Sequence, residues 1–477
     1  VMRPRIDGKE MDSPSIRAKP ERTQKANRRT GRPRRGGAAE EVRHEQARRR
    51  KKLPWPVTLF LVSLVIPWII QLGPVRASAY RLVLLATLVP TLIMWLSGKA
   101  GRIRTADFAL IAYALWCGLS LAANYGVSAT LQPSAILFIE TAGSYLLARC
   151  YIRDADDFYN VISLLFKIVA FTFPFAVIES VTSRNIALEL FGMVMPTPVD
   201  TNYDPRWGMR RVQGYYEHPI LFGVATGCIL APVYLVLGYQ KPVWQRSWRS
   251  MIVIITSFLS MSAGPTSAVV AQGMLLTWNR VLHKFKDRWK VMWGLVLVMY
   301  LFVEVVSNQS VPEFFMTHFS FDEVSAYYRV LIWRFGSASA LSHPVFGVGF
   351  ERWERPSWMP PSIDMFWLYH AIIYGLPAAF MMMLAFISLF VTVGLKKGLG
   401  DRLTEYRTAY LISMTGFFLV GWTVHFWNAV YVLFLFLLGS GAWILDAKTE
   451  GDSRVKRRGT GRATPKDHPA AVGGGHD

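Results

Sequence analysis

Residues 365–393 read MFWLYHAIIYGLPAAFMMMLAFISLFVTV, 29 positions without one Asp, Glu, Lys or Arg. A bilayer's hydrocarbon core is crossed by about 20 mostly apolar residues in a helix, so this stretch alone argues for a membrane protein. Runs of the same kind recur at Pro56–Gln71, Leu82–Leu96 and Met292–Val303. The whole chain is 52% hydrophobic, 14% aromatic and 18% charged, whereas soluble proteins carry about 25% charged residues. The apolar residues come in blocks rather than in amphipathic stripes, which excludes an ordinary soluble domain.

Working outward from that stretch, the polar breaks divide the chain into about twelve helices. They are expected near 55–73, 80–97, 106–123, 131–148, 158–181, 218–239, 250–263, 266–282, 291–307, 364–394, 408–421 and 424–445. Lys and Arg favour the cytoplasmic side, and that rule orients the set. With the N-terminus inside, the inner loops Gly98–Thr105, Arg149–Asp157, Gln240–Arg249, His283–Lys290 and Leu395–Arg407 each hold at least two Lys or Arg. The C-terminal tail, with Arg454, Lys456, Arg457 and Arg458, also falls inside. Most outer connections are short, including a tight turn at Gly264–Pro265. Two are long, about 182–217 and 308–363, and neither contains a lysine. The expected fold is an all-α polytopic membrane protein with both termini cytoplasmic and two long outer loops, the second partly helical. Its membrane domain covers 54–445, between basic tails at 1–53 and 446–477.

The net charge of +21 does not by itself point to nucleic acid, because its placement is uneven. Residues 1–53 hold 18 Lys/Arg against 7 Asp/Glu. Such a Pro-, Gly- and Ala-rich segment cannot bury a core and is expected to be disordered. It reads either as a topology signal that favours anionic lipid or as a docking arm for a cytoplasmic partner or nucleic acid. No signal peptide is expected, since no small-residue cleavage site follows the basic stretch. Cys117, Cys150 and Cys228 have neither metal spacing nor a disulfide framework and are expected to be structural. No pair of histidines or carboxylates has metal-ligand spacing, and no phosphate-binding glycine loop stands in a believable context.

The two long outer loops depart from minimal connection, and long ordered loops are commonly functional. Both set arginines among aromatics: Arg206, Trp207, Arg210 and Arg211 in the first, Tyr327, Tyr328, Arg329, Trp333 and Arg334 in the second. Arginine without lysine suits fork-like binding of phosphate or carboxylate, and neighbouring rings suit sugar faces or lipid headgroups. The competing reading is an interfacial aromatic belt with solvated arginines. His218, before Pro219, either contacts substrate or caps a helix. His343 reads as structural, and His370 and His425 read as neutral histidines bonded between helices.

Several segments in order carry a family resemblance. They are Arg211-Val-Gln-Gly214-Tyr-Tyr-Glu-His218-Pro219; Tyr328-Arg329-Val-Leu-Ile-Trp333; Ser342-His343-Pro344-Val-Phe-Gly347-Val-Gly349; Ser362-Ile-Asp364-Met-Phe-Trp-Leu368; and Tyr374-Gly375-Leu-Pro377. Together they resemble the O-antigen ligase and Wzy-type polysaccharide polymerase superfamily. The resemblance implies metal- and cofactor-free glycosyl transfer at the outer face of a bacterial inner membrane, from a glycan on undecaprenyl diphosphate. It implies membrane lipids as surroundings, a chain-length regulator as a conceivable partner, and no nucleic acid. Arg211, Arg329 and Asp364 are then the catalytic candidates. Arg206, Arg210, His218, Tyr328 and Trp333 are the substrate-binding ones, with no metal ligand among them. Family ligases carry a His-Asn-like pair before the glycine; Asp364-Met365 stands in its place here, which favours the polymerase branch over ligation. Asp364 can act as a base, orient an acceptor or cap a helix. A transporter or flippase is the alternative outside enzymes, and it should show paired halves with midplane charges. No internal repeat of that kind is visible.

Overall fold

A computed structural model describes residues 52–448, except 74, 202, 309, 319–322 and 351–352. Apart from a few residues at their inner edges, both basic tails lie outside the described residues. Within that range the chain is a bundle of helices. Seven are long and apolar enough to cross a membrane: Ala79–Leu96, Thr105–Tyr125, Ala155–Thr182, Pro219–Leu237, Arg288–Val306, Leu376–Leu395 and Asn428–Asp446.

In chain order, α1 (Trp55–Ser63) leads into a hairpin of β1 (Ile69–Leu72) and β2 (Val75–Ser78). Then come α2 (Ala79–Leu96), α3 (Thr105–Tyr125) and α4 (Val127–Phe138). A π-helical turn at Ile139–Gly143 continues α4 into α5 (Ser144–Tyr151). The long α6 (Ala155–Thr182) and short α7 (Ile186–Gly192) follow. After an extended segment come α8 (Pro219–Gly227), α9 (Leu230–Pro232) and a second π turn, Val233–Leu237. Next are α10 (Val243–Phe258), α11 (Ala263–Val281), α12 (Arg288–Val306), α13 (Val311–His318) and α14 (Glu323–Ser342). The chain closes with α15 (Phe366–Tyr374), α16 (Leu376–Leu395), α17 (Asp401–Val420), α18 (Asn428–Gly439) and α19 (Trp443–Asp446).

Two of the expected helices are corrected. The run 55–73 is not one helix: α1 stops at Ser63, and Ile69 to Ser78 form an antiparallel hairpin with Ile69 opposite Ser78. Pro67 lacks an N–H and disfavours helix at Ile66. Beyond it, Ile69 N–H bonds Pro196 O at 2.8 Å and the Trp68 indole bonds Phe191 O at 3.1 Å. The run 364–394 is likewise two helices, α15 and α16, broken at Gly375 with φ +88°. A Cβ there would lie 2.1 Å from Val345 O, so the break needs glycine. The broken turn is braced by the Pro344–Gly349 segment: Leu376 N–H bonds Pro344 O at 2.8 Å, and Gly349 N–H bonds Ile373 O at 3.0 Å. The Pro…Gly-x-Gly motif is thus a structural clasp.

The core is aromatic at its centre, with Phe366, Trp367, Phe386, Phe417, Phe426 and Phe434 in mutual ring contact. A buried charge within the bundle is paired, as burial in an apolar medium demands. Arg149, 1% exposed, meets Asp107 at 3.5 Å and the carbonyls of Ala100 and Arg102.

Candidate functional site

The extended segment between α7 and α8 is built from its anchors. At the end of α6 the Glu179 carboxylate accepts the N–H groups of Gln213 (2.8 Å) and Gly214 (3.0 Å). Asn185 caps α7 and donates its amide to Gly214 O at 2.7 Å. Gln213, fully buried, reaches back: its Oε1 accepts from the Thr201 hydroxyl at 2.7 Å and its Nε2 donates to Val199 O at 3.0 Å. These bonds pin a strap, residues 199–214, over one end of the bundle. Within it, Arg206 and Met209 exchange both backbone bonds around Trp207 (φ +52°) and Gly208 (φ +76°). Two positive φ values in a two-residue loop match the twist of a tight hairpin.

Consecutive side chains of an extended chain point to opposite faces, and this splits the adjacent arginines. Arg210 turns inward. It is 6% exposed, donates to Ser183 O at 2.6 Å, pairs with Asp200 and lies 3.8 Å from Glu179. Arg211 turns the other way, where one guanidinium N–H donates to Ser262 Oγ at 3.0 Å. Its plane lies 5.4 Å from the Tyr203 ring centroid, and Tyr203 lies 4.5 Å from the His218 ring.

On that side is a cavity of about 140 Å³. Three arginines line it. Arg206 also donates to Met261 O at 2.6 Å, and Arg329, on α14, donates to Thr423 O at 3.2 Å. Tyr203, His218 and Ser325 complete the side-chain wall. The floor is the first turn of α11, Ala263–Gly264, and the start of α8 at Ile220 contributes as well. First-turn N–H groups have no partner within their helix and carry partial positive charge. No Asp or Glu is among the lining residues. Three guanidinium groups and the first turn of α11 border one small space, a setting whose charge suits an anion; at the start of α8 the Ile220 N–H is already taken by His218.

The electrostatics follow. Burial, helped by the charge of Arg206, lowers Arg211 to about 10, so it remains cationic at neutral pH. Burial, with Arg211 next to it, lowers His218 to about 4. His218 is therefore neutral at pH 7, and its Nδ1 accepts the Ile220 N–H at 3.0 Å. The remaining proton is then on Nε2, which makes His218 a hydrogen-bond donor rather than a base. It caps α8 and lines the cavity at once.

Of the residues singled out in the sequence, Arg206, Arg211, His218 and Arg329 come together here. Arg210 does not; its bonds hold the strap. Tyr328 and Trp333 do not line the cavity either: Tyr328 neighbours Tyr327, and Trp333 packs edge-on to Trp422 at 6.0 Å. Asp364 lies near enough to feel the Arg329 charge, yet burial outweighs it and raises the carboxyl. It is not the cap of α15; Met365 holds that position and no side chain caps the helix. Trp207 stacks on Phe258 at 5.9 Å. His370 bonds the Tyr113 hydroxyl at 2.9 Å, and His425 stacks on Tyr369 at 4.0 Å; neither lines the cavity.

Sequence reasoning missed Tyr203, Ser325 and the α11 start. Gly264–Pro265 is not a loop turn but the first turn of α11, and Ser262 followed by proline within three residues was the available signal. Behind His218 a second polar group forms: Asn428 donates to Glu217 at 2.9 Å and accepts from Arg81 at 3.1 Å, and Arg81 pairs with Glu140 at 2.7 Å. No protein-family model and no curated protein matches the chain.

Proposed function

We propose that the arginine cavity holds the diphosphate of an undecaprenyl-diphosphate-linked oligosaccharide, and that the protein polymerises such repeats at the outer face of the inner membrane. One observation carries this reading: Arg206, Arg211 and Arg329 line, with the first turn of α11, a cavity among whose lining residues there is no carboxylate, in a bundle that holds membrane-length helices. In the reaction an acceptor hydroxyl of one repeat attacks the anomeric carbon of another. The C–O bond to the diphosphate breaks, its oxygen keeps the electron pair, and the diphosphate gains one negative charge. Preorganised guanidinium groups at a water-poor boundary stabilise that charge. The His218 Nε2–H supplies a neutral donor to the same oxygens. Asp364, beside Arg329, takes the proton of the acceptor hydroxyl.

The same reading places both termini in the cytoplasm and leaves room for a chain-length regulator as partner. Asp364 in place of the ligase pair favours polymerisation over transfer to a lipid A-core acceptor. The deciding experiment is the glycan profile of a deletion strain, sized both on the lipid carrier and in the exported fraction. Single repeats without long chains are expected. Long chains stranded on the carrier would make the protein the ligase instead, and a normal profile in both fractions would favour a transporter.

A further inference from the structure

A chain of hydrogen bonds behind the cavity ends one residue short of it. It begins at the π-helical turn Ile139–Gly143, which carries the buried Glu140. Glu140 accepts from the Tyr80 hydroxyl at 3.2 Å and from Arg81 Nε at 2.7 Å, both on α2. Arg81 Nη2 donates in turn to Asn428 Oδ1 at 3.1 Å, and Asn428 Nδ2 donates to Glu217 Oε1 at 2.9 Å. Arginine can only donate and a carboxylate only accepts, so the amide between them has one orientation that satisfies both.

Asn428 holds this place against its backbone preference. It opens α18 with φ +51°, in the left-handed region that disfavours residues other than glycine and is tolerated best by Asn and Asp. A strained residue persists where its surroundings over-determine it, commonly beside a functional group. The group beside it is His218. Residues 217–218 and 427–428 meet two by two: Glu217 bonds Asn428, and the His218 ring lies edge-on to Trp427 with centroids 6.1 Å apart. The imidazole also lies 4.5 Å from the Tyr203 ring, and its Nδ1 takes the Ile220 N–H at 3.0 Å. Two rings, one ring nitrogen and the neighbouring Glu217 thus fix His218, which leaves Nε2 for the cavity it lines. The helices are tied without Asn428: Arg81 and Glu140 join α2 to the π turn, and the Tyr431 and Thr141 hydroxyls, 2.6 Å apart, join α18 to it. What Asn428 adds is the link to the residue before His218.

We propose that Asn428 is a positioning residue: held by Arg81 on one side and Glu217 on the other, it sets the 217–218 turn so that His218 presents its Nε2–H to a diphosphate in the cavity. This rests on the function proposed above and deepens it, because it names the groups that aim one of the diphosphate's donors. A donor is worth most when its own geometry is locked by a supporting layer of bonds, and here that layer reaches from the π turn to the start of α8. Asn428 touches no ligand itself, so its loss is felt through His218 alone.

The test uses the full-length protein in phosphatidylglycerol nanodiscs at neutral pH, with two readouts: the Kd for inorganic diphosphate, and the His218 tautomer by nitrogen NMR, its signals assigned by their loss in His218→Asn. Asn428→Asp is the variant of choice. Aspartate also tolerates the left-handed backbone and still accepts from Arg81, but it sets a second carboxylate against Glu217. It is expected to weaken diphosphate roughly three- to tenfold, the worth of one neutral hydrogen bond, and to mix the tautomers of a ring that carries its proton on Nε2 alone in the parent. Adding Glu217→Gln to Asn428→Asp exchanges donor and acceptor across the pair, and this double variant should regain both the parent's Kd and its single tautomer. In a His218→Asn background, Asn428→Asp should weaken diphosphate no further. Parent-like affinity and tautomer in Asn428→Asp, no recovery in the exchanged pair, or an equal loss without His218 would each overturn the positioning role. Failure of inorganic diphosphate to bind the unmodified protein overturns instead the reading of the cavity, and the tautomer then decides the positioning role by itself.

Discussion

Replacing Arg211 by alanine should stabilise the empty protein while disabling it. A guanidinium lowered from its ordinary value to about 10 carries a cost of roughly 3 kcal/mol in the folded state. The direction is fixed by linkage: above about pH 10 the unfolded chain holds the proton that the folded one has released, so stability rises with pH there. Below about pH 10 the full cost is present. The alanine variant removes that cost but also the bond to Ser262 Oγ and the contact with Tyr203, together about 1–2 kcal/mol. The net is a gain of about 1–2 kcal/mol at pH 7, a rise of about 1–2 degrees in melting temperature for a chain of this length. A bound diphosphate would have offset the same cost. The variant should therefore lose a charge-assisted contact of about 1.5–3 kcal/mol to that ligand, a Kd weaker by roughly 10- to 100-fold, and about 10²–10³ in turnover. The assay is thermal unfolding of purified protein with and without inorganic diphosphate, beside polymer output in cells. A variant that melts lower than the parent, yet is stabilised by diphosphate to the same extent, would refute the reasoning.

Three further substitutions follow from the same geometry. Arg210→Ala should behave oppositely to its neighbour, lowering the melting temperature and protein yield by unpairing Asp200 and baring buried Glu179, a loss of about 3 kcal/mol; normal stability would put Arg210 outside the scaffold. His218, lowered to about 4, takes up a proton later than it would unfolded, so the protein should lose stability as pH falls from about 6.5 toward 4; His218→Asn keeps a capping side chain and should flatten that slope, as unfolding curves across this range would show. Asp364→Asn should abolish polymer at unchanged membrane level, and the acidic limb of the parent's pH–rate profile should lie above the ordinary carboxylate range, since burial raises the group; retained activity would leave Asp364 an orienting role beside Arg329.

The adjacent arginines also mark where sequence reading stops. Hydropathy finds membrane helices because a span needs a long run of one kind of residue, and runs are local. The spans Ala79–Leu96, Thr105–Tyr125 and Arg288–Val306 lie within two or three residues of where the runs place them. Breaks inside a run are not local. Gly375 interrupts residues 365–393 because Pro344 and Val345 dock against it, and those residues are 30 positions away. The run 55–73 ends early for a similar reason, since its second half bonds to residues 191 and 196.

The site divides in the same manner. That arginines without lysine matter could be read from composition. Which of them face the cavity is decided by partners distant in the chain: Glu179 and Asp200 take Arg210 inward, Ser262 receives Arg211, and Thr423 O fixes Arg329. Each cavity arginine spends at least one N–H on a fixed acceptor, which limits how far it can swing. The arrangement keeps three like charges together against their repulsion. Glu179, Asp200 and the buried Gln213 hold the strap from behind, and no carboxylate is among the cavity's lining residues. Acids on one face of the strap and arginines on the other leave the lining of the cavity with positive charge only.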